Sequence, residues 1–156
     1  MTGGIAGFNR GSLSYCENRA EVSGNNRTGG IAGYSEYGTV SHCDTWGENI
    51  KFSYKLINQQ YNVAGGIVGE TYYGKVEYCV LYGTIRYMNA SSSSTVLQPR
   101  IGQIIGYSYQ TTRTSNGIDH WGYSDCGYVD NGTLQIIGSH NQYLYAAPFG
   151  FYGKIG

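Results

Sequence analysis

The sequence predicts an all-β protein, a parallel β-helix-like solenoid of about four to five coils. Three observations predict it. Glycine supplies 25 of 156 residues, more than double its average share of about 7%. Each interior glycine costs a helix roughly 0.5–1 kcal/mol relative to alanine. The gaps between glycines are filled by Val, Ile, Thr and Tyr, residues that suit a pleated, half-buried surface. Third, one short apolar motif returns along the chain, as it does in stacked repeat proteins.

The repeat has three elements. The first is Gly3-Gly4-Ile5-Ala6-Gly7, which returns as Gly29-Gly30-Ile31-Ala32-Gly33 and Gly65-Gly66-Ile67-Val68-Gly69, and more loosely as Gly102-Gln103-Ile104-Ile105-Gly106. The second reads Gly11-Ser12-Leu13-Ser14-Tyr15-Cys16, Gly38-Thr39-Val40-Ser41-His42-Cys43 and Gly74-Lys75-Val76-Glu77-Tyr78-Cys79. The third reads Ala20-Glu21-Val22, Gly83-Thr84-Ile85 and Gly132-Thr133-Leu134, with Gly47-Glu48-Asn49-Ile50 breaking the pattern in the second coil. A single unit of this size cannot bury its inward side chains, whereas coils stacked about 4.8 Å apart bury like on like. The expectation is a single solenoid over 1–156, three-faced, with coils starting near 3, 29, 65 and 102 and a cap or degenerate coil over 136–156. Three interior ladders follow: Ile5, Ile31, Ile67 and Ile104; Leu13, Val40 and Val76; Val22, Ile85 and Leu134. The glycines fit corners that need positive φ or close backbone approach.

Each cysteine follows its Val/Leu position by three residues. Strict alternation puts those two on opposite faces, so a bend at a coil corner is needed for both to point inward. Cys16, Cys43, Cys79 and Cys126 then form a ladder of buried free thiols. A disulfide between rungs is the alternative, disfavoured because parallel side-chain vectors give poor bridge geometry. No C-x-x-C occurs and the cysteine spacings match no zinc module, so neither a metal nor a cofactor is expected.

The residues quoted above resemble the GLUG repeat: Gly-Gly-Ile-Ala-Gly, then Gly-x-Val-x-x-Cys, then Gly-x-Val. The likeness covers residues 2 to 87 well and 101 to 135 loosely. That repeat occurs in large bacterial surface proteins, including adhesins and the non-catalytic regions of IgA-cleaving metallopeptidases. The resemblance implies a right-handed β-helix-like solenoid at the cell surface or outside the cell. It implies no chemistry, because the signature residues are packing residues.

Insertions interrupt the period. Coil 2 gains residues around Lys51 to Asn62 and coil 3 around Met88 to Arg100. Both follow the third element and should leave the same corner. Coil 4 gains its residues between Tyr107 and Cys126, at another corner. Insertions in solenoids often map to a binding face; length drift is the other reading.

Ten basic and ten acidic residues cancel, which removes the main argument for nucleic acid or an anionic membrane surface. No apolar run approaches the ~20 residues of a membrane-spanning helix, so no membrane insertion is expected. Met1 to Arg10 lacks the apolar core of a signal peptide, which fits either another export route or an internal piece of a longer chain. No G-x-S-x-G, H-E-x-x-H, P-loop or G-x-G-x-x-G motif is present, and an enzyme is not expected. His42 beside Cys43 suggests a nucleophile–base pair, but chain neighbours on a strand face opposite ways, so His42 should point outward where Tyr15 and Tyr78 sit. Asp44, Asp125 and Asp130 flank the cysteine corner, where turn chemistry accounts for them. Asp119-His120-Trp121 lies in the coil 4 insertion. The Asn26, Asn89 and Asn131 sequons arise readily by chance in such a composition.

Tyrosine carries the surface signal. Phe8, Tyr34 and Tyr107 follow the first element, with Glu70 in the third coil; Tyr15 and Tyr78 precede cysteine; Tyr72-Tyr73 and Tyr143-Leu144-Tyr145 are further clusters. Phe8, Tyr15, Tyr34, Tyr78, Tyr107 and Trp121 are the candidate contact residues, for other protein surfaces or glycans. Stacked tyrosine ladders that stabilise a flank are the competing account. The first coil shows no polar cap, and Ala146-Ala147-Pro148-Phe149-Gly150-Phe151-Tyr152 is apolar, which raises head-to-tail self-association. The functional expectation is a structural or binding segment of a bacterial surface adhesin. A self-stacking filament subunit comes second and a polysaccharide-active β-helix enzyme third.

Overall fold

The computed structural model describes residues 1–46, 50–53, 63–88, 100–109, 123–124, 127–129, 134–137, 145–146 and 154–155. All regular structure there is β-strand, and every strand pair is parallel. The chain visits five sheets in turn and then returns to the first. Sheet A holds β1 (Thr2–Gly3), β6 (Thr28–Gly29), β11 (Val63–Gly65), β16 (Arg100–Gly102) and β21 (Tyr145–Ala146). Sheet B holds β2 (Ala6–Asn9), β7 (Ala32–Glu36), β12 (Val68–Tyr72) and β17 (Ile105–Tyr109). Sheet C holds β3 (Ser12–Ser14), β8 (Thr39–Ser41), β13 (Lys75–Glu77) and β18 (Tyr123–Ser124). Sheet D holds β4 (Glu17–Asn18), β9 (Asp44–Thr45), β14 (Val80–Leu81), β19 (Gly127–Val129) and β22 (Lys154–Ile155). Sheet E holds β5 (Val22–Gly24), β10 (Ile50–Ser53), β15 (Ile85–Met88) and β20 (Leu134–Ile137). The fold is a parallel β-helix-like solenoid.

Among the described residues, each of the first four coils therefore carries five strands rather than the three elements expected. The isoleucine ladder lies in the turn between sheets A and B, not in a strand. That turn is nevertheless bonded from coil to coil. The Ile31 carbonyl accepts from the Ile5 and Ala6 amides at 3.0 and 3.1 Å, and the Ile67 carbonyl accepts from Ile31 and Ala32 at 2.9 and 3.1 Å. Sheets B and D escape an apolar reading because polar residues line part of their inner faces. Asn9, Ser35, Thr71 and Ser108 are buried in sheet B, and Asn18 and Thr45 in sheet D. All but Thr45, whose buried hydroxyl has no partner, bond to one another or to the backbone, as most buried polar groups do. Asn9 donates to Ser35 Oγ at 3.1 Å, Thr71 Oγ1 to Ser108 Oγ at 2.9 Å, and Asn18 to the Gly30 carbonyl at 2.8 Å.

The ladders fill the interior. Ile31, Ile67, Ile104, Val40, Val76 and Ile85 have no solvent exposure. Ile50 joins the third ladder, in register with Val22 and Ile85, so the second coil keeps the pattern it seemed to break. Coil 1 departs from expectation. Ile5 is 46% exposed, and Leu13 and Cys16 are only partly buried, because coil 2 covers them on one side only. Cys43 and Cys79 are buried; Cys16, Cys43 and Cys79 are all free thiols. Cys126 lies outside the described residues.

The repeated glycines answer to close approach, not to positive φ. A Cβ on Gly29 would fall on the Ala32 carbonyl across the A–B turn. On Gly30 it would meet Thr45, whose side chain crosses the interior from sheet D, and on Gly33 it would meet Thr2 N at 2.6 Å in the coil before. None of these three glycines takes a left-handed φ. Left-handed φ occurs instead at Tyr15, His42 and Tyr78 (55°, 51° and 52°), at Tyr37 and Tyr73 (53° and 49°), and at Arg27 (40°). The first trio is the bend that turns the cysteines inward.

The coil 2 and coil 3 insertions both fall between sheets E and A, after β10 and after β15, where coil 1 needs only residues 25–27. The coil 4 insertion falls between sheets B and C, after β17. At the C-terminal end Ile136 and Ile137 belong to β20 of coil 4, while β21 and β22 add rungs to sheets A and D.

Candidate interaction surface

Alternation along sheet D sets out the exposed flank. Tyr15, Glu17 and Arg19 face outward while Asn18 is buried between them. In coil 2 His42 and Trp46 are exposed around Asp44; in coil 3 Tyr78 and Tyr82 are exposed around Val80. Register then stacks the outward side chains into columns. Tyr15 stacks on His42 with ring centroids 4.8 Å apart, and His42 on Tyr78 at 4.9 Å. His42 is a rung of this column, on the face opposite Cys43, and forms no dyad with it. Trp46 stacks on Tyr82 at 3.8 Å, with the Arg19 guanidinium 5.5 Å from the Trp46 ring. At the corner between sheets B and C, Tyr37 stacks on Tyr73 at 5.8 Å, and Tyr72 meets both edge-on.

These columns stabilise as well as decorate. A left-handed residue with a Cβ costs roughly 1–2 kcal/mol, and an aromatic pair contributes about 0.5–1.5 kcal/mol beyond its buried area. The two effects are of one size, so stacking offsets the strain of the cysteine corner. The ring faces inside each column are spent on their neighbours, leaving ring edges and phenol hydroxyls to solvent. The Tyr15 ring, at the open end of its column, belongs to a residue 80% exposed.

The column after the first element is not continuous. Phe8 and Tyr34 lie 5.6 Å apart. The next rung is Glu70, buried at 2% exposure, where an outward position was expected. Burial is sustained by Arg27, whose Nε lies 2.7 Å from Glu70 Oε2 and whose guanidinium sits 4.5 Å over the Tyr34 ring. Burial first, then the Glu36 and Glu70 carboxylates, pushes the Tyr34 phenol up. Tyr107, the following rung, is half-buried. Trp121, His120, Asp125 and Asp130, the Tyr143-Leu144 pair and the Ala147–Tyr152 stretch lie outside the described residues.

The thiol row is internally bonded. Cys43 Sγ donates to the Ser41 carbonyl at 3.1 Å and Cys79 Sγ to the Glu77 carbonyl at 3.2 Å, and the Cys43 amide donates to Cys79 Sγ at 3.4 Å. Hydrogen bonding from Cys79 draws the Cys43 thiol down, while burial raises Cys16. Among the described residues no three His, Cys, Asp or Glu side chains gather as a metal ion would require.

Sequence reasoning passed over Trp46, Tyr82, Arg19 and Tyr37. The signal was present: Arg19, Trp46 and Tyr82 each follow a cysteine by three residues, and Tyr37 and Tyr73 each precede a glycine. Comparison of the chain with protein-family models, with curated proteins and with solved structures finds no match.

Proposed function

We propose that this chain is a non-enzymatic solenoid segment of a bacterial cell-surface adhesin, related to the GLUG-repeat proteins and working outside the cell. One observation carries the reading: the signature residues are consumed in holding coil on coil. In coils 2 and 3 the glycines, isoleucines, valines and cysteines of the repeat pack inward or against the neighbouring coil. The variable positions face outward as aromatic columns. Such a layout supplies a stiff spacer with a contact surface of ring edges and hydroxyls, suited to proteins or glycans. Paired charges such as Arg10–Glu36, Lys51–Glu21 and Lys75–Glu77 leave little net field to draw nucleic acid.

Surface labelling tests it. Antibody raised against the folded chain should stain intact cells of the organism that makes it, and protease added outside those cells should remove the stain. Signal appearing only after lysis would refute the assignment.

A further inference from the structure

We propose that the corner between sheets B and C in coils 2 and 3 is a modification site, where a haem peroxidase using hydrogen peroxide joins Tyr37 to Tyr72 through a dityrosine bond. The inference stands apart from the adhesin reading and rests on three phenol rings that the fold brings to one place. Tyr37 comes from coil 2, and Tyr72 and Tyr73 from coil 3. The Tyr37 and Tyr72 ring centroids lie 5.6 Å apart, with their planes at 89°. Tyr73 lies 4.8 Å from Tyr72 and 5.8 Å from Tyr37. The Tyr72 hydroxyl is hydrogen-bonded to the Tyr37 hydroxyl. That bond bears on the chemistry. The carbons that couple are those next to the hydroxyl-bearing carbon of each ring, and in the product the two hydroxyls stand side by side.

The backbone sets the rings there. The Tyr37 amide donates to the Tyr72 carbonyl at 2.9 Å, and the Lys75 amide to the Gly38 carbonyl at 2.9 Å, so the corner is bonded from coil to coil on both sides of the rings. Tyr37 and Tyr73 share a left-handed φ, 53° and 49°, so the same turn recurs on both coils. Tyr37 is 65% exposed and Tyr73 44%, so an oxidant reaches the cluster from solvent. The other columns pair unlike rings: His42 lies between Tyr15 and Tyr78, Trp46 meets Tyr82, and Phe8 meets Tyr34. Coupling needs two phenols in contact, and this corner supplies them.

The step balances. Each phenol gives up one electron and its hydroxyl proton and becomes a phenoxyl radical. The two radicals pair their odd electrons in one carbon–carbon bond ortho to the oxygens. The hydrogens on those two carbons pass through solvent to the oxygens and restore both phenols. Hydrogen peroxide takes up the two electrons and two protons and leaves as water. Rings already held together replace a chance encounter with an intramolecular one. The bond staples coil 2 to coil 3 and restricts the unfolded chain.

Peptide mapping of the purified chain after treatment with horseradish peroxidase and hydrogen peroxide tests the proposal. The treated product should have the mass of one chain less two hydrogens. Trypsin releases residues 28–51, which hold Tyr37, and 56–75, which hold Tyr72. These two peptides should appear joined, with fragmentation placing the link at Tyr37 and Tyr72. Tyr37→Phe and Tyr72→Phe keep the rings and lose the phenol, and each should cut the joined product about tenfold or more. Tyr82→Phe should leave its yield unchanged. The proposal is overturned if the treated wild-type chain carries no such link, if its links join separate chains, or if either the Tyr37 or the Tyr72 variant gives the joined peptides at the wild-type level.

Discussion

At the scale of single residues, the left-handed corner before each cysteine decides more than its side chain suggests. His42 sits at φ 51° between two tyrosine rings. Alanine there loses the stacking and keeps the strain, while glycine loses the stacking and relieves it. His42→Gly should therefore be more stable than His42→Ala by about 1 kcal/mol in urea unfolding, the reverse of the usual order in a β-sheet. Asp44 makes a pH prediction. Burial raises its carboxyl, and Glu17 on the preceding coil adds to the rise. A raised carboxyl binds its proton more readily when folded, so the charged form at neutral pH costs stability. Asp44→Asn should raise the unfolding midpoint at pH 7, and the gain should fade as pH drops through the ordinary carboxylate range near 4. For the thiols, maleimide labelling with peptide mapping should find Cys16 first, with Cys43 and Cys79 reacting only on unfolding. Equal rates at all three would contradict the burial described here.

At the scale of elements, the reading from sequence captured the ladders and missed the number of faces. Ile, Val and Cys recur at matched positions and announce inward rows, so sheets C and E and the A–B turn were legible. Sheets B and D were not, because Asn9, Ser35, Asn18 and Thr45 line them. A side chain bonded to its counterpart one coil away, as Asn9 is to Ser35, or to a backbone carbonyl, as Asn18 is to Gly30, serves as an interior residue, yet reads as surface in a single sequence. Glu70 is the same lesson at the surface, since nothing local announces that Arg27 will reach it. Arg27→Met should cost roughly 2 kcal/mol, less than the 3–5 of a fully buried pair because Arg27 touches solvent. Adding Glu70→Tyr, which restores an aromatic rung between Tyr34 and Tyr107, should recover most of that loss in the same melt. The E–A corner offers an element-scale test. Replacing residues 54–62 by the short coil 1 link should keep the fold with a change below about 1 kcal/mol, because loop-closure entropy varies slowly with length. Collapse of the fold would mean that this segment belongs to the core.

In the whole molecule one feature underlies the others: successive coils pair in parallel, with the apolar ladders in register. Leu13 lies opposite Val40, and Val40 opposite Val76. The columns, the left-handed corners and the thiol row all follow from that register, whereas a slip of one residue would send every ladder to the opposite face. The most direct test is a set of nuclear Overhauser contacts in isotope-labelled protein. The account predicts amide-to-α-proton contacts linking β3 to β8 and β8 to β13 around Leu13, Val40 and Val76, together with contacts between the Ile31 and Ile67 methyl groups. Close α-proton to α-proton pairs across those strands, the mark of an antiparallel ladder, or Val40 and Val76 out of contact, would contradict it.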